Sequence, residues 1–288
     1  MSLCTLNFNA KYLGSKTDVN VLLPDPPRRD DMTPADYYRS GIKHKVIWLL
    51  HGAGGDHNDW LRAANAEEFV KKYNVAIVCP NGMASDYSDY TIFGGLYNWP
   101  RFLFEELMPM IYGTFPISDR KEDNFIAGFS MGGNGALALS LMHPELFGYV
   151  GVFSGSIRDV NDLRPYRDMS SDTFRVEGYD TTRFTGIYPP GYNAKVINMI
   201  AKFPTVGAFM DSLDNTWDRY LERQAAGKLP NIYVAVGSED RCTMRVNQFK
   251  ELAASAGDTN TIFTEIPGHK HSYDCARIAL DSFLKLVL

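Results

Sequence analysis

The sequence predicts an α/β fold: a mostly parallel eight-stranded sheet with helices on both faces, entered through an antiparallel N-terminal hairpin. Three observations carry that expectation. Apolar runs of strand length recur eight times along the 288 residues. The last six are separated by helix-length segments, as parallel strands require. One of them runs directly into a serine set between glycines, the sequence form of a sharp strand-to-helix turn. At 45% hydrophobic content the chain can bury one sizeable core, and doubly wound sheets reach this length undivided, so one domain over residues 1–288 is expected.

The elements follow in order. Residues 5–10 and 18–23 are short enough and near enough to form the hairpin. Residues 45–50 form an apolar strand feeding the glycine-rich loop His51-Gly52-Ala53-Gly54-Gly55, and residues 75–80 form the next strand. Residues 83–100 are rich in Tyr, Asp and Gly, an excursion that fits an aromatic wall or a surface loop packed on its own rings. Residues 124–130 read as a buried strand, followed by an apolar helix that ends near His143-Pro144. After a strand at 149–155 comes the long stretch 156–230, with Tyr188-Pro189-Pro190-Gly191 at its middle and helical patterning from about Thr205 to Gln224. It is a candidate cap or insertion. Strands at 232–238 and 261–266 and a final amphipathic helix close the chain.

The segment Gly128-Phe129-Ser130-Met131-Gly132-Gly133 marks Ser130 as a candidate nucleophile. A strand that turns at once into a helix needs glycine two positions either side, where neighbouring backbone passes closely. The helix would begin at Ser130, aiming its free N–H groups and positive dipole end at the hydroxyl. In this arrangement nucleophile, acid and base occur in the chain order Ser, Asp or Glu, His. Of the six histidines only His269 and His271 lie far enough beyond Ser130. His271 is favoured, because its place at a loop-to-helix junction lets it hang over the sheet edge, whereas His269 sits within the turn. The strand at 232–236 runs into Gly237-Ser238-Glu239-Asp240, and Asp240 is the chosen acid; Glu239 points the other way. Asp159, Asp211 and Asp214 follow no comparable strand. One oxyanion donor would be the N–H after the nucleophile, Met131, and the other an N–H of the glycine-rich loop, Ala53. His51 reads as a loop brace, and no metal site is expected from His51 and His57. Trp60, Tyr97, Trp99 and Trp217 are the candidate substrate contacts.

These residues also carry a family resemblance. Leu49-Leu50-His51-Gly52-Ala53-Gly54-Gly55 with Asn58-Asp59-Trp60, then Val78-Cys79-Pro80-Asn81-Gly82, then Phe125 through Ala136, resemble the esterase D group of α/β-hydrolases. The likeness is nearest to bacterial tributyrin esterases, which are related to feruloyl and acetylxylan esterases and S-formylglutathione hydrolases. The resemblance runs from about Asn20 to the C-terminus and thins between roughly Ile157 and Leu229. It implies the α/β-hydrolase fold, a Ser-His-Asp triad, and hydrolysis of short-chain acyl esters without a cofactor. The family's Gly-x-x-Asp turn matches Gly237 to Asp240, and the His-Ser-Tyr of the S-formylglutathione hydrolases matches His271-Ser272-Tyr273, which strengthens His271. The tributyrin group usually has an acidic residue and Trp after the His, where this chain has Ser272 and Tyr273.

A net charge of −5 without runs of Lys or Arg speaks against nucleic acid and anionic membranes, and for a small, neutral or locally charged ester. Homo-oligomer formation stays open. The four cysteines show no Cys-x-x-Cys spacing, which suits reduced thiols in a cytoplasmic protein. No signal-peptide pattern or membrane-length apolar run is apparent.

Overall fold

The computed structural model describes residues 1–26, 31–90, 97–177 and 200–288. All eight apolar runs form strands: β1 Ser2–Ala10, β2 Ser15–Leu23, β3 Val46–Leu50, β4 Ala76–Pro80, β5 Asn124–Phe129, β6 Tyr149–Phe153, β7 Asn231–Gly237 and β8 Thr261–Ile266. They join in one sheet in the order β1-β2-β4-β3-β5-β6-β7-β8. β1 and β2 form the antiparallel hairpin, and β2 lies antiparallel on β4. Every pair from β4 to β8 is parallel.

The hairpin is longer than its apolar runs suggest, adding residues 2–4 and 15–17, and polar pairs reinforce it within. Thr5 lies opposite Asn20 and Asn7 opposite Asp18, and each pair is joined by a side-chain hydrogen bond of 2.7 Å. Such cross-strand pairs stabilise a ladder without apolar side chains.

The central strands are buried on both faces, and alternation sorts their side chains into two cores. Val46, Trp48 and Leu50 of β3, Ile126 of β5 and Val150 and Val152 of β6 point to one side. The helices Met131–Met142, Thr216–Ala225 and Thr243–Ser255 cover that side, together with the helical stretch from Phe102 to Ile111. Ile47 and Leu49, with Phe125, Ala127, Phe129 and Phe153, point to the other. There the helices Glu67–Tyr73 and Tyr273–Val287 pack, with Trp60 between. Helices on both faces are thus imposed by two apolar surfaces that each need a cover.

The register sets where chemistry can occur. Leu50 lies beside Gly128, Phe129 beside Phe153, and Phe153 beside Ala235, so β3, β5, β6 and β7 end together. From β3 the chain moves out to β4 and then back to β5 on the other side. Such a reversal leaves a crevice at the C-terminal strand ends, where open α/β sheets bind ligands. Among the described residues no helix is long and apolar enough to cross a membrane.

Candidate active site

Ser130 sits directly after β5 with φ 56° and ψ −114°, and the helix begins one residue later than the sequence suggests, at Met131. The serine is therefore the turn itself rather than the first helical residue. Its N–H donates to Phe153 O at 2.8 Å, which ties the strained residue to β6. The flanking glycines serve close approach. A Cβ at Gly128 would lie 2.3 Å from the backbone of Gly132, and one at Gly132 would lie 2.2 Å from Leu50 O.

His271 enters from the loop after β8. Ser272 caps the C-terminal helix by accepting from the Cys275 N–H, and this fixes the residue before it at the helix mouth. The His271 Nε2 is 2.9 Å from Ser130 Oγ, and its Nδ1 is 2.9 and 3.0 Å from the two Asp240 carboxylate oxygens. Nδ1–H donating to the carboxylate leaves Nε2 free to accept from the serine hydroxyl. The Phe129 ring packs on the imidazole at 4.8 Å between centroids.

Asp240 closes the turn after β7, and its side chain is wholly shielded from solvent. Burial pushes its pKa up, but hydrogen bonds from His271 and from the Cys242 N–H, at 2.7 Å, outweigh that and hold the carboxyl below its ordinary range. Glu239, the neighbouring acid, is exposed. His269 is turned away: its Nδ1 donates to Pro267 O at 2.8 Å.

The loop after β3 is braced from two sides. His51 is buried, its Nδ1 donates to Gly52 O at 2.7 Å, and its Nε2 accepts from the Gly82 N–H at 2.7 Å. Both nitrogens are committed in the neutral ring, and burial holds its pKa below the ordinary value. Gly52 O also accepts from the Gly55 N–H. Because a trans peptide sets C=O and N–H on opposite sides, anchoring this carbonyl turns the Ala53 N–H the other way. From the far side the Tyr273 hydroxyl accepts from the Gly52 N–H at 3.1 Å and donates to Asp59 Oδ2 at 2.9 Å. Ala53 itself is exposed, while Met131 is buried and, as the first helical residue, has no intrahelical acceptor for its N–H.

Tyr273 and Cys242 are the functional neighbours that sequence reasoning missed. Tyr273 was visible only as the end of the His-Ser-Tyr match, and nothing local to it predicts contact with a loop 221 residues away. Cys242 lies two residues beyond Asp240, with Sγ 3.7 Å from His271 Nδ1.

The aromatic candidates divide differently from expectation. Trp60 and Trp99 have no exposed surface and Trp217 is buried, so packing replaces substrate contact as their role. Trp60 donates to Leu50 O at 3.0 Å beneath the site, and Trp99 packs between Tyr87 and Phe102. Half-buried Tyr97 accepts from the Trp99 indole at 3.1 Å. Gly94-Gly95 and the Tyr188 to Gly191 segment lie outside the described residues. The flanks of the two excursions line a cavity of about 660 Å³ with Asp89, Asn98, Arg101, Lys202, Leu213 and Asp214 among its walls. No triad candidate lines it. Buried Lys202 pairs with Asp214 and lies 4.4 Å over the Tyr90 ring.

A strained serine at a β5 elbow, a histidine and a carboxylate at neighbouring strand ends, and this sheet order define an enzyme of the α/β-hydrolase fold. The chain belongs to the esterase family, whose model, described as "Putative esterase", matches residues 10–282. It is similar to an acetyl esterase of Caldicellulosiruptor saccharolyticus, 27% identical over 246 residues, which span 83% of this chain and 81% of that protein. Among solved structures it is similar to the fluorophosphonate-binding serine hydrolase F of Staphylococcus aureus. Their TM-score is 0.73 at 18% identity, covering 99% of this chain and 98% of the other. An S-formylglutathione hydrolase of the same organism gives a TM-score of 0.70 at 17% identity, covering 99% and 96%.

Proposed function

We propose that this enzyme is a serine carboxylester hydrolase for short-chain acyl esters, working through an acyl-enzyme. The observation that carries the reading is the unbroken hydrogen-bonded line from Ser130 Oγ through His271 to Asp240. Ser130 attacks the ester carbonyl while His271 Nε2 takes its proton, and the same nitrogen returns that proton to the departing alcohol. Water then repeats the sequence on the acyl-enzyme. Asp240 fixes the Nδ1–H tautomer and stabilises the imidazolium. The oxyanion rests on the N–H groups of Ala53 and Met131, each worth roughly 3 kcal/mol in the transition state.

The test is hydrolysis of p-nitrophenyl esters from acetate to octanoate by wild type and Ser130→Ala. Loss of the nucleophile is expected to cut kcat by about 10⁴- to 10⁶-fold. A variant retaining a tenth of the rate or more would sink the assignment.

Within the family we place the chain with the esterase D group, closest to the tributyrin esterases, on the loop motifs around Gly52 and Gly128. A second reading, thioester hydrolysis of the S-formylglutathione type, is favoured by His271-Ser272-Tyr273, since that tyrosine reaches the oxyanion loop. Comparing acyl-glutathione thioesters with the oxygen esters separates the two. Four unpaired cysteines favour a reducing, cytoplasmic setting.

A further inference from the structure

Beside the hydrogen-bonded line lies a set of donors that ester hydrolysis does not use together. The Cys242 Sγ, an Asp240 carboxylate oxygen and the His271 Nδ1 all lie within 4.8 Å of one another. The sulfur is 3.7 Å and the nearer oxygen 2.9 Å from Nδ1. A tetrahedral zinc ion, with bonds near 2.0–2.1 Å to nitrogen, 2.0–2.2 Å to oxygen and 2.3 Å to sulfur, spaces its ligand atoms roughly 3.4–3.6 Å apart. The three atoms therefore stand near such a spacing, and enclosing an ion asks the carboxylate and the thiol, at most 4.8 Å apart, to close by about an ångström.

We propose that Asp240, Cys242 and His271 form an inhibitory binding site for a thiophilic divalent cation of the zinc and cadmium type. The donor set selects the metal. Thiolate, imidazole and one carboxylate suit Zn²⁺ and Cd²⁺, whereas Mg²⁺ and Ca²⁺ require more oxygen ligands. The Arg245 guanidinium already donates to Cys242 Sγ at 3.1 Å, placing positive charge where a thiolate would form. The buried thiol must give up its proton to the incoming cation, so the site answers only to ions with high sulfur affinity.

Binding is balanced as follows. The cation bonds the thiolate, releasing one proton to solvent, and bonds the already anionic carboxylate. It takes the lone pair of Nδ1, so the single proton of the neutral imidazole resides on Nε2. That nitrogen then faces Ser130 Oγ as a donor and cannot accept the serine proton. Inhibition thus rests on the reading of His271 as the base, while the binding itself does not. Cys242 is 2% exposed and the His271 side chain 14%, so the ion enters past the imidazole and inhibition develops slowly.

The experiment titrates the full chain with CdCl₂ and follows two signals: the ultraviolet thiolate-to-cadmium charge-transfer band, and the rate on p-nitrophenyl acetate relative to each protein's metal-free rate. Wild type, Cys242→Ser and Cys275→Ser are compared, since Cys275 is a buried thiol of the opposite core and controls for cadmium bound by buried sulfur elsewhere. We expect one cadmium per chain, a band that Cys275→Ser keeps and Cys242→Ser loses, and slow inhibition reversed by EDTA. Inhibition of Cys242→Ser should require at least roughly 10- to 100-fold more cation. No band in wild type, a band that survives in Cys242→Ser, or equal sensitivity of the two proteins overturns the proposal. If wild type shows no esterase activity, the reading of the enzyme fails, and the band alone still decides the metal site.

Discussion

At the scale of single residues, the site depends on groups that hold others in place. Asp240 is worth its burial only because His271 and the Cys242 N–H saturate it. We predict that Asp240→Asn keeps the fold but lowers kcat by about 10⁴-fold, since an amide favours the wrong tautomer of His271. Steady-state kinetics with unchanged circular dichroism checks this, and a loss below tenfold contradicts it. Tyr273→Phe removes the acceptor for the Gly52 N–H and the donor to Asp59, leaving the ring packing intact. Its kcat should fall roughly 10-fold with little change in KM, below the 10²–10³ expected for deleting an oxyanion donor outright. The meeting of Ser130, its glycines and Asp240 at one strand edge was legible in the sequence because each position is fixed by a local pattern: a turn, a strand end, a spacing. The role of Tyr273 was not legible, because it exists only through a contact between distant loops. The tryptophans misled for a related reason. A large aromatic near a motif can be a wall of the site or a prop under it, and only depth distinguishes them.

At the scale of elements, the elbow is built by exclusion. Gly132 lets the nucleophile helix lie against the end of β3, and its missing Cβ is what keeps Leu50 O in place. Gly132→Ala forces backbone apart rather than the tip of a flexible side chain, so a cost of about 3 kcal/mol or more is expected. For a chain of this size that lowers Tm by roughly 6–12 °C. Differential scanning calorimetry gives the answer, and a shift under 2 °C would mean the elbow relaxes freely. All eight strands were legible from their apolar runs, yet their ends were not. The hairpin ran on through Ser2–Cys4 on β1 and Ser15–Thr17 on β2, where Ser15 and Lys16 carry no apolar signal. β6 stopped at Phe153, where Ser154 takes φ 52°.

At the scale of the molecule, burial couples folding to pH. Desolvation holds His44 and His51 below the ordinary histidine value. Their folded pKa values are lowered, so the unfolded chain binds their protons first as pH falls below about 6.5. The contribution of these rings to stability is full above that pH and declines as pH falls toward the folded values. The urea midpoint should therefore drop between pH 7.5 and pH 5.5, and His51 protonation would also break the bond from the Gly82 N–H. A midpoint that rises over this interval contradicts the assignment.

Ser130 and His271, the proposed nucleophile and base, are 141 residues apart in the chain, and they meet only because β6, β7 and β8 stand in register beside β5. Closing so long a loop costs entropy that local structure cannot return, so the contact forms late in folding. The proposed reacting pair is in effect a gauge of sheet completion. A nascent chain that has made β5 and its helix already displays the serine, but it stays chemically silent until the last strand docks. Loss of the final helix would silence it again without touching the elbow.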